Sequence, residues 1–557
     1  MTNSEISDQF SLLSKLMDIH GENSFKASSY STAAFNIDRM PLPIAQMDDA
    51  QLFSQKGIGE STGKKIRELL TTGKLQALEQ MLEKTPPGIL DMLEIKGLGP
   101  KKIAIIWKEL GAESLGELEY ACNENRLVTL KGFGAKTQES VLQNIAYFKQ
   151  NLGFHLWKEA EGFAEVVITQ LLQNYPGRLC SVTGDVRRQN ETIEFIEIIT
   201  DLDKGSLARQ FESTEGALLL DEPGFLQVNV PNQPRVRFYS VATQDFYRKL
   251  FLTTGCLEFV EAFQSRYKIP DAPRSEDEIF AANGLAFIPP MLREGVGVLE
   301  ALKNGPLPLL IQPDDIKGII HSHSVWSDGK NTIEEMARAA IARGLQYLVL
   351  SDHSKSAFYA NGLDVARIRA QHKEIDELNA KLAPFRIFKS IESDILSDGN
   401  LDYDNEVLSS FDLVIASVHS NLKMSQEKAM ERVLNAVRNP YTTILGHPTG
   451  RLLLSRKGYP LDFKLLIETC AAHSVVIEIN AHPRRLDLDW RWIRYVMDCG
   501  VMLSIDPDAH SIEGFNDTYY GVKIAQKGGL DAGHNLSSMP LAEFESFVQK
   551  QKSKAGR

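Results

Sequence analysis

A chain of 557 residues, 43% hydrophobic and 24% charged, has the make-up of an ordinary globular protein, and its length predicts three or four domains. The net charge of −12, from 61 basic and 73 acidic residues, excludes bulk electrostatic coating of nucleic acid, so any such contact has to be local. No run approaches the ~18 to 20 apolar residues of a membrane span, and the opening MTNSEISDQF has no signal-like basic and apolar stretch; a cytoplasmic protein without a membrane partner is expected. Cys122, Cys180, Cys256, Cys470 and Cys499 never form a CxxC pair and read as core thiols rather than a disulfide framework or zinc ribbon. Histidine is distributed more tellingly: residues 1–320 hold only His20 and His155, and the other ten lie beyond.

Three repeats mark the front of the chain: Lys56-Gly57-Ile58-Gly59, Lys96-Gly97-Leu98-Gly99 and Lys131-Gly132-Phe133-Gly134. Each precedes a helix-like segment (STGKKIRELL, PKKIAIIWKEL, AKTQESVLQNI). Two glycines around one apolar residue let the chain turn tightly and leave amides exposed at the start of the next helix, where a phosphate fits. Lys64, Lys65, Lys101, Lys102 and Lys136 add charge beside the turns. A single such turn is a helix end; three copies resemble helix-hairpin-helix motifs, which imply DNA held by its backbone without sequence reading. Residues 1–150 carry 17 basic and 19 acidic residues, so the positive charge must be confined to the hairpin face.

GENSFKASSYSTAAFNI, the first hairpin and LLTTGKLQALEQML together resemble the N-terminal DNA-end-binding domain of the family X DNA polymerases. That resemblance implies, for some members, a Schiff-base lysine after the first hairpin, a place that Lys65 matches; a phosphate-binding lysine is the plainer reading.

From about residue 151 the text turns strand-like, with LCSVTGDV, ETIEFIEIIT, FLQVNV and VRFYSV, and the likeness continues through a palm and thumb to about residue 300. Thr183-Gly184-Asp185-Val186-Arg187-Arg188 resembles the family's phosphate-binding turn. The resemblance also implies an Asp-x-Asp eleven residues past the glycine and a third Asp on a later strand, because nucleotidyl transfer clamps two cations between carboxylates. Here those positions fall on Phe195, Glu197 and Arg237. Asp201-Leu202-Asp203 has the right form but lies six residues late and reads as a strand-end turn. The expectation is a core without polymerase activity.

After Leu310 apolar strands alternate with amphipathic helices, from KGIIHSHS to VMLSIDPDAH, which predicts a parallel βα barrel with its site at the strand ends. His321 and His323, two apart on a strand, are expected to face one way. Asp328, His353, Glu392, His419, His447, Asp508 and His510 complete a set in which six of the twelve histidines end apolar runs. HSH, SDH, VHS, GHP and DAH match the polymerase and histidinol phosphatase (PHP) domain. What this implies is one ion on His321, His323, Glu392 and Asp508, a second on Glu392, His419 and His447, and a third on Asp328, His353 and His510. Asp328, Glu392 and Asp508 would serve catalysis as well. Imidazole and carboxylate suit Mn²⁺, Zn²⁺ or Fe²⁺, with Mn²⁺ favoured. Arg451 and Arg485 are candidates for holding substrate phosphate, or for pairing with an aspartate such as Asp487.

The predicted organisation is therefore multidomain. An all-α helix-hairpin-helix domain (1–150, 8-kDa-like and fingers-like) precedes a degenerate α+β palm and thumb (151–300). A proline-rich linker (301–316) then leads to a PHP-type distorted α/β barrel (317–557). That order resembles the bacterial family X polymerases and implies a metal-dependent 3′ to 5′ DNA exonuclease or 3′-end phosphoesterase of DNA repair, acting on gapped or 3′ ends. A still-active gap-filling polymerase, and a small-molecule phosphatase on a DNA-binding scaffold, are the alternatives.

Overall fold

The computed structural model describes all residues except Pro41, Lys56, Asn232 and Arg557, and the side chains of the rest except those of Gln150, Asn151, Lys303, Asn304 and Tyr359. Lys56, the first residue of the first repeat, thus lies outside the described residues. The chain divides into two compact units, Met1–Leu152 and Gly153–Arg557.

The first unit is helical throughout. Its opening helix, Asn3–His20, starts at a reciprocal Thr2–Glu5 capping box and ends at Gly21, whose φ of 73° is open to glycine without strain. It packs along Ser24–Asp38, with Phe10 edge-on to Tyr30 at 5.8 Å. The helices Glu60–Thr72, Pro100–Ile105 and Ala135–Asn151 follow the three glycine repeats.

The second unit begins with a five-stranded sheet in the order Cys180–Thr183, Phe195–Thr200, Arg235–Ser240, Phe225–Asn229, Leu218–Glu222. Alternation sets its two faces. Ile196, Ile198, Leu226, Val228, Val236 and Phe238 are buried against Ala160, Ala164, Val167 and Leu171 of the helix Trp157–Asn174. The residues between them point the other way. The edge strand Leu218–Glu222 was not expected from sequence, since LLLDE buries no face and shows no alternation. Helices Phe246–Thr254, Leu257–Arg266 and Glu276–Ala281 then cluster Phe251, Phe259, Phe263 and Phe280; Phe251 and Phe280 also face the fully buried Arg293, whose charge is met by Glu276 at 2.6 Å.

The remainder is a seven-stranded, all-parallel sheet running Gly318–Ser322, Tyr347–Leu350, Arg386–Asp394, Leu413–Ser417, Ile444–Leu445, Val476–Asn480, Leu503–Asp506. It nearly closes into a barrel: His323 N–H donates to Ala509 O (2.8 Å) and Ala509 N–H to His321 O (3.2 Å). Every strand residue but two is buried on both sides, the continuous apolar pattern that parallel sheets under helices require. The segment expected to be a stiff connector is fastened to the barrel from Ile311 onward, which is fully buried and exchanges hydrogen bonds with Leu530 (2.9 Å) and Gln526 (2.7 Å).

Sheet and barrel are also joined directly. Lys527, on the helix Thr518–Lys527, reaches out of the barrel to Glu294 and to the Arg188 carbonyl (2.8 Å). Lys158 meets Asp517 at 3.0 Å and Arg491 meets Glu191 at 3.3 Å. All five cysteines are free thiols, Cys122 and Cys470 buried and the others partly so.

Candidate metal centre and nucleic-acid interface

Glu392 is the hub of the barrel site. Its strand is nine residues long and carries it into the middle of the carboxyl ends of the sheet. His419 and His447 lie just past the ends of their strands, each with Nε2 at 3.0 Å from Glu392 Oε1. His321 Nε2 is 3.3 Å from the same oxygen and 3.5 Å from Asp508 Oδ1, and His323 Nε2 is 3.1 Å from Asp508 Oδ1. His353 Nδ1 faces Glu392 at 2.9 Å while its Nε2 faces Asp328 at 3.7 Å, and His510 Nε2 closes the set at 3.4 Å from Asp328.

All nine residues singled out in the sequence therefore come together. The residues of each expected set are neighbours, and some also adjoin a second set. Donor atoms lie within 4.8 Å of one another in His323–Asp328–His353–His510, His321–His323–Asp508 and His353–Glu392–His419, so His323 and His353 each stand between groups. His321 and His323 face one way, both toward Asp508, but the strand that brings them there is not regular. The strand pairing is irregular between Ile319 and Ser322, and His321 has a φ of 58°. His447 (φ 23°) and Asp508 (φ 53°) share this left-handed region, which L-residues adopt only when their surroundings hold them there.

Those surroundings are residues that the sequence reading did not single out. Glu478 accepts from His321 Nδ1 (2.6 Å), from the His447 N–H (2.9 Å) and from Asn480 Nδ2 (2.9 Å). Asp394, two residues past Glu392, pairs with His419 Nδ1, and Asn480 Nδ2 reaches Asp508 Oδ2 at 3.3 Å. Asp352 is buried beneath the loop that carries Asp328 and accepts from Ser324, Ser327 and Gln371. The available signal was a carboxylate or amide inside an apolar run, as in VVIEIN.

The electrostatics are those of a site with crowded ligands. Burial opposes charge on His419, yet Glu392 and Asp394 push it up to about 10; against the same burial, Asp328 and Asp508 push His510 up to about 9. Burial together with His510 and His353 pushes His323 down to about 3. Although burial opposes it, His419, His321 and His353 hold Glu392 well below the carboxylate range. His321 Nε2 and Glu392 Oε2 are buried without a hydrogen-bond partner. Orphaned donors of this kind, on mixed imidazole and carboxylate residues without thiolate, fit divalent cations.

The two candidate arginines differ. Arg451 is taken up structurally, with Nη1 on Asp489 (2.9 Å) and Nε on the Arg485 carbonyl (2.8 Å); the partner is Asp489 rather than Asp487. Arg485 stands at the cluster, Nε 3.7 Å from Asp508 Oδ2, with a buried Nη1 that has no hydrogen-bond partner.

In the front unit the repeats form three like turns. Gly57, Gly97 and Gly132 have φ of 81°, 90° and 91°, while Gly59, Gly99 and Gly134 cap the following helices. Ile58, Leu98 and Phe133 between them are buried anchors. A Cβ on Gly97, Gly99, Gly132 or Gly134 would meet open space, the clearance that a backbone phosphate needs. Lys101 and Lys136 are exposed; Lys64 pairs with Glu60 at 2.6 Å, and Lys102 Nζ rests 3.1 Å from Gly97 O. A hollow of about 780 Å³ beside the first turn is lined by Phe25, Lys26, Ser29, Gly57 and Gly59 but not by Lys65.

On the palm-like sheet, Phe195 lies opposite Arg235 and Glu197 opposite Arg237. Arg237 stacks on Phe195, 3.3 Å from the ring centroid, and Tyr239 O–H donates to Glu197. Asp201 accepts from Leu179 N–H (2.9 Å) and Thr243 (2.9 Å), and Asp203 caps the helix Lys204–Phe211 through Ser206. In the phosphate-binding-like turn, Arg187 is held by Thr254 (2.7 Å) and Glu276, and Arg188 by Glu294 (3.0 Å), Asp185 and the Thr254 carbonyl (2.7 Å). Among the described residues, no helix is long and apolar enough to cross a membrane.

Comparison with known proteins follows the same division. A helix-hairpin-helix domain model matches residues 1–75, a SAM-like helix-hairpin-helix tandem residues 89–145 and a PHP domain residues 320–482. Proteins of Thermoanaerobacter sp. (strain X514) and Acetivibrio thermocellus, both named probable phosphatases, are 25% and 30% identical over 42% of this chain and 96% and 97% of their own lengths. The DNA polymerase/3′-5′ exonuclease PolX of Bacillus subtilis (strain 168) is 34% identical over 573 aligned positions, spanning 96% of this chain and 97% of that protein. With hairpins, palm-like sheet and barrel matched in one alignment, the chain belongs to the PolX family.

Proposed function

We propose that this protein is a DNA-binding, Mn²⁺-dependent phosphoesterase that removes or trims 3′ ends in DNA repair, with a polymerase-like core that does not polymerise. Membership of a family whose Bacillus relative is named polymerase and exonuclease supports DNA-directed phosphoryl chemistry. The observation that carries the hydrolytic assignment is the clustering of nine ligand-type side chains, Glu392 at their centre, at the carboxyl ends of the barrel strands. Up to three divalent cations held by those residues would supply Lewis-acid activation of a phosphodiester and of water. The chain's own residues do the rest: Glu478 and Asp394 orient His321 and His419, and Arg485 offers a free donor to a phosphate oxygen. The hairpins position the duplex through its backbone.

The non-catalytic reading of the core rests on chemistry at Phe195, Glu197 and Arg237. One carboxylate bound to Tyr239, a phenyl ring and a guanidinium form no cation clamp, and a fixed positive charge ~4 Å from a cation opposes it by about 4 kcal/mol per unit charge at an effective dielectric near 20. Arg187 and Arg188 are moreover already paired. The small-molecule phosphatase reading draws on the relatives named probable phosphatases. One set of assays separates the three: 3′-end release from gapped DNA, phosphate release from histidinol phosphate, and primer extension by the His353→Ala protein. Release of 3′ nucleotides alone is expected. Extension that depends on Glu197 or Asp201 would restore the polymerase, and phosphate release without DNA cleavage would make the barrel a phosphatase.

A further inference from the structure

We propose that the hollow between the helix Trp157–Asn174 and the barrel segment 482–484 is a nucleobase subsite, holding a base of the strand whose phosphodiester lies at the barrel cluster. This rests on the reading of the barrel as a DNA phosphoesterase and says how the middle of the chain takes part in it.

The hollow measures about 810 Å³, a size usual for small-molecule sites. It adjoins the cluster: the His482 N–H donates to Asn480 Oδ1 (3.1 Å), Asn480 Nδ2 reaches Asp508, and Arg485 follows directly on the lining residue Arg484. Its other wall is one stripe of the helix, since Lys158, Gly162 and Val166 recur every four residues with Phe163 beside them. Val166 is 53% exposed, an apolar side chain left uncovered. Gly162 is the stronger sign. It lies inside an 18-residue helix, where glycine is less stable than alanine, its φ is not left-handed, and a Cβ there would meet nothing within 4 Å. Neither backbone nor packing asks for glycine at this place; a flat group laid against the helix does.

The lining selects a base rather than a phosphate. Its cations, Lys158 and Arg484, are matched in number by Glu159 and Asp517, and Lys158 pairs with Asp517 at 3.0 Å. Burial pushes the imidazoles of His155 and His482 below their ordinary value, so both line the hollow uncharged. His482 Nδ1 accepts the Arg484 N–H (3.2 Å), which puts the ring proton on Nε2 as a donor. Leu156, Phe163, Val166, Pro234 and Pro483 supply apolar walls. Apolar walls, a few fixed polar groups and no net charge suit a flat heteroaromatic ring with hydrogen-bonding edges. A free phosphate or an acidic peptide would find no excess of positive charge.

The test uses the full chain and 3′ ends with and without bases. Gly162→Leu fills the hollow where a side chain has room, so its melting temperature should equal or exceed that of wild type. KM for 3′-nucleotide release from a normal strand should rise about tenfold, more than kcat falls. A strand without bases at its 3′ end should show the high KM with wild type and no further rise with Gly162→Leu. In EDTA, a strand carrying iodouracil near its 3′ end should give a photo-adduct on Phe163 or His482 of the wild type, a measurement that stands whether or not the variant folds. Deoxythymidine monophosphate should suppress that adduct, and deoxyribose phosphate should not. An unchanged KM in folded Gly162→Leu, equal KM for normal and base-free ends, no adduct in the hollow, or equal suppression by the two competitors would overturn the proposal. The nuclease reading fails separately: wild type that forms the adduct but releases no nucleotide with Mn²⁺ sinks that reading and leaves the subsite standing.

Discussion

His321 donates its Nδ1–H to Glu478, 2.6 Å away, and this bond turns Nε2 toward Glu392 and Asp508. Glu478 is fully buried and also accepts the main-chain N–H of His447, so one carboxylate fixes two ligand positions at once.

Glu478→Gln is therefore expected to lower Mn²⁺ affinity by about 10- to 100-fold, because the amide no longer enforces the His321 tautomer. Calorimetric titration of the purified protein with Mn²⁺ reads this directly. DNA binding in EDTA should not change, and an unaltered Mn²⁺ affinity would place Glu478 outside the metal centre's support.

His353 stands between the Glu392 and Asp328 groups, so His353→Ala should disable both. Hydrolysis is expected to fall by about a hundredfold or more, with DNA affinity retained, since the hairpins belong to a separate unit. Parallel loss of affinity and activity in gel-shift and nuclease assays would show that the barrel carries the binding.

Replacing Lys101 and Lys102 by alanine should weaken duplex binding equally across sequences and make the log–log salt dependence shallower by about 2. A change in sequence preference in a competition assay would mean that base edges are read at the second hairpin.

Burial raises the Glu197 carboxyl above its ordinary value, with the Tyr239 hydrogen bond only partly offsetting it. Ionisation is thus harder in the folded protein, and stability is lost as pH climbs from the unfolded toward the folded pKa. Glu197→Gln, which keeps an acceptor for Tyr239, should raise the melting temperature near neutral pH and not below the ordinary glutamate range. A pH-independent difference between the two melting curves would refute this.

The clustered histidines were legible because each closes an apolar run, as in VLSDH or ILGH, whereas Asp328 lies in a turn and Glu392 within its strand. Glu478 was hidden by the same rule, since it sits inside such a run and its partner is 157 residues away. Arg386–Asp394 mixes Lys389, Ser390 and Ser393 into its strand, which blurs the pattern that burial on both sides otherwise imposes. Spacing could not assign Arg451 either, because its partners arrive on the returning segment 485–489. The hairpins were legible from repetition, but which lysines stand clear of their own acidic neighbours, as Lys64 does not, is a matter of side-chain packing.

Lys527 gives the middle of the chain a reason to persist that has nothing to do with catalysis. Its ammonium is wholly enclosed, and Glu294 and the Arg188 carbonyl, both from the palm and thumb, are what meet it. A barrel cut free at its first strand would leave Lys527 and Asp517 without these partners, on a flank that the palm and thumb now cover. The middle of the chain thus covers the barrel's flank whatever chemistry the palm-like sheet performs, and a shortened barrel would need that flank redesigned.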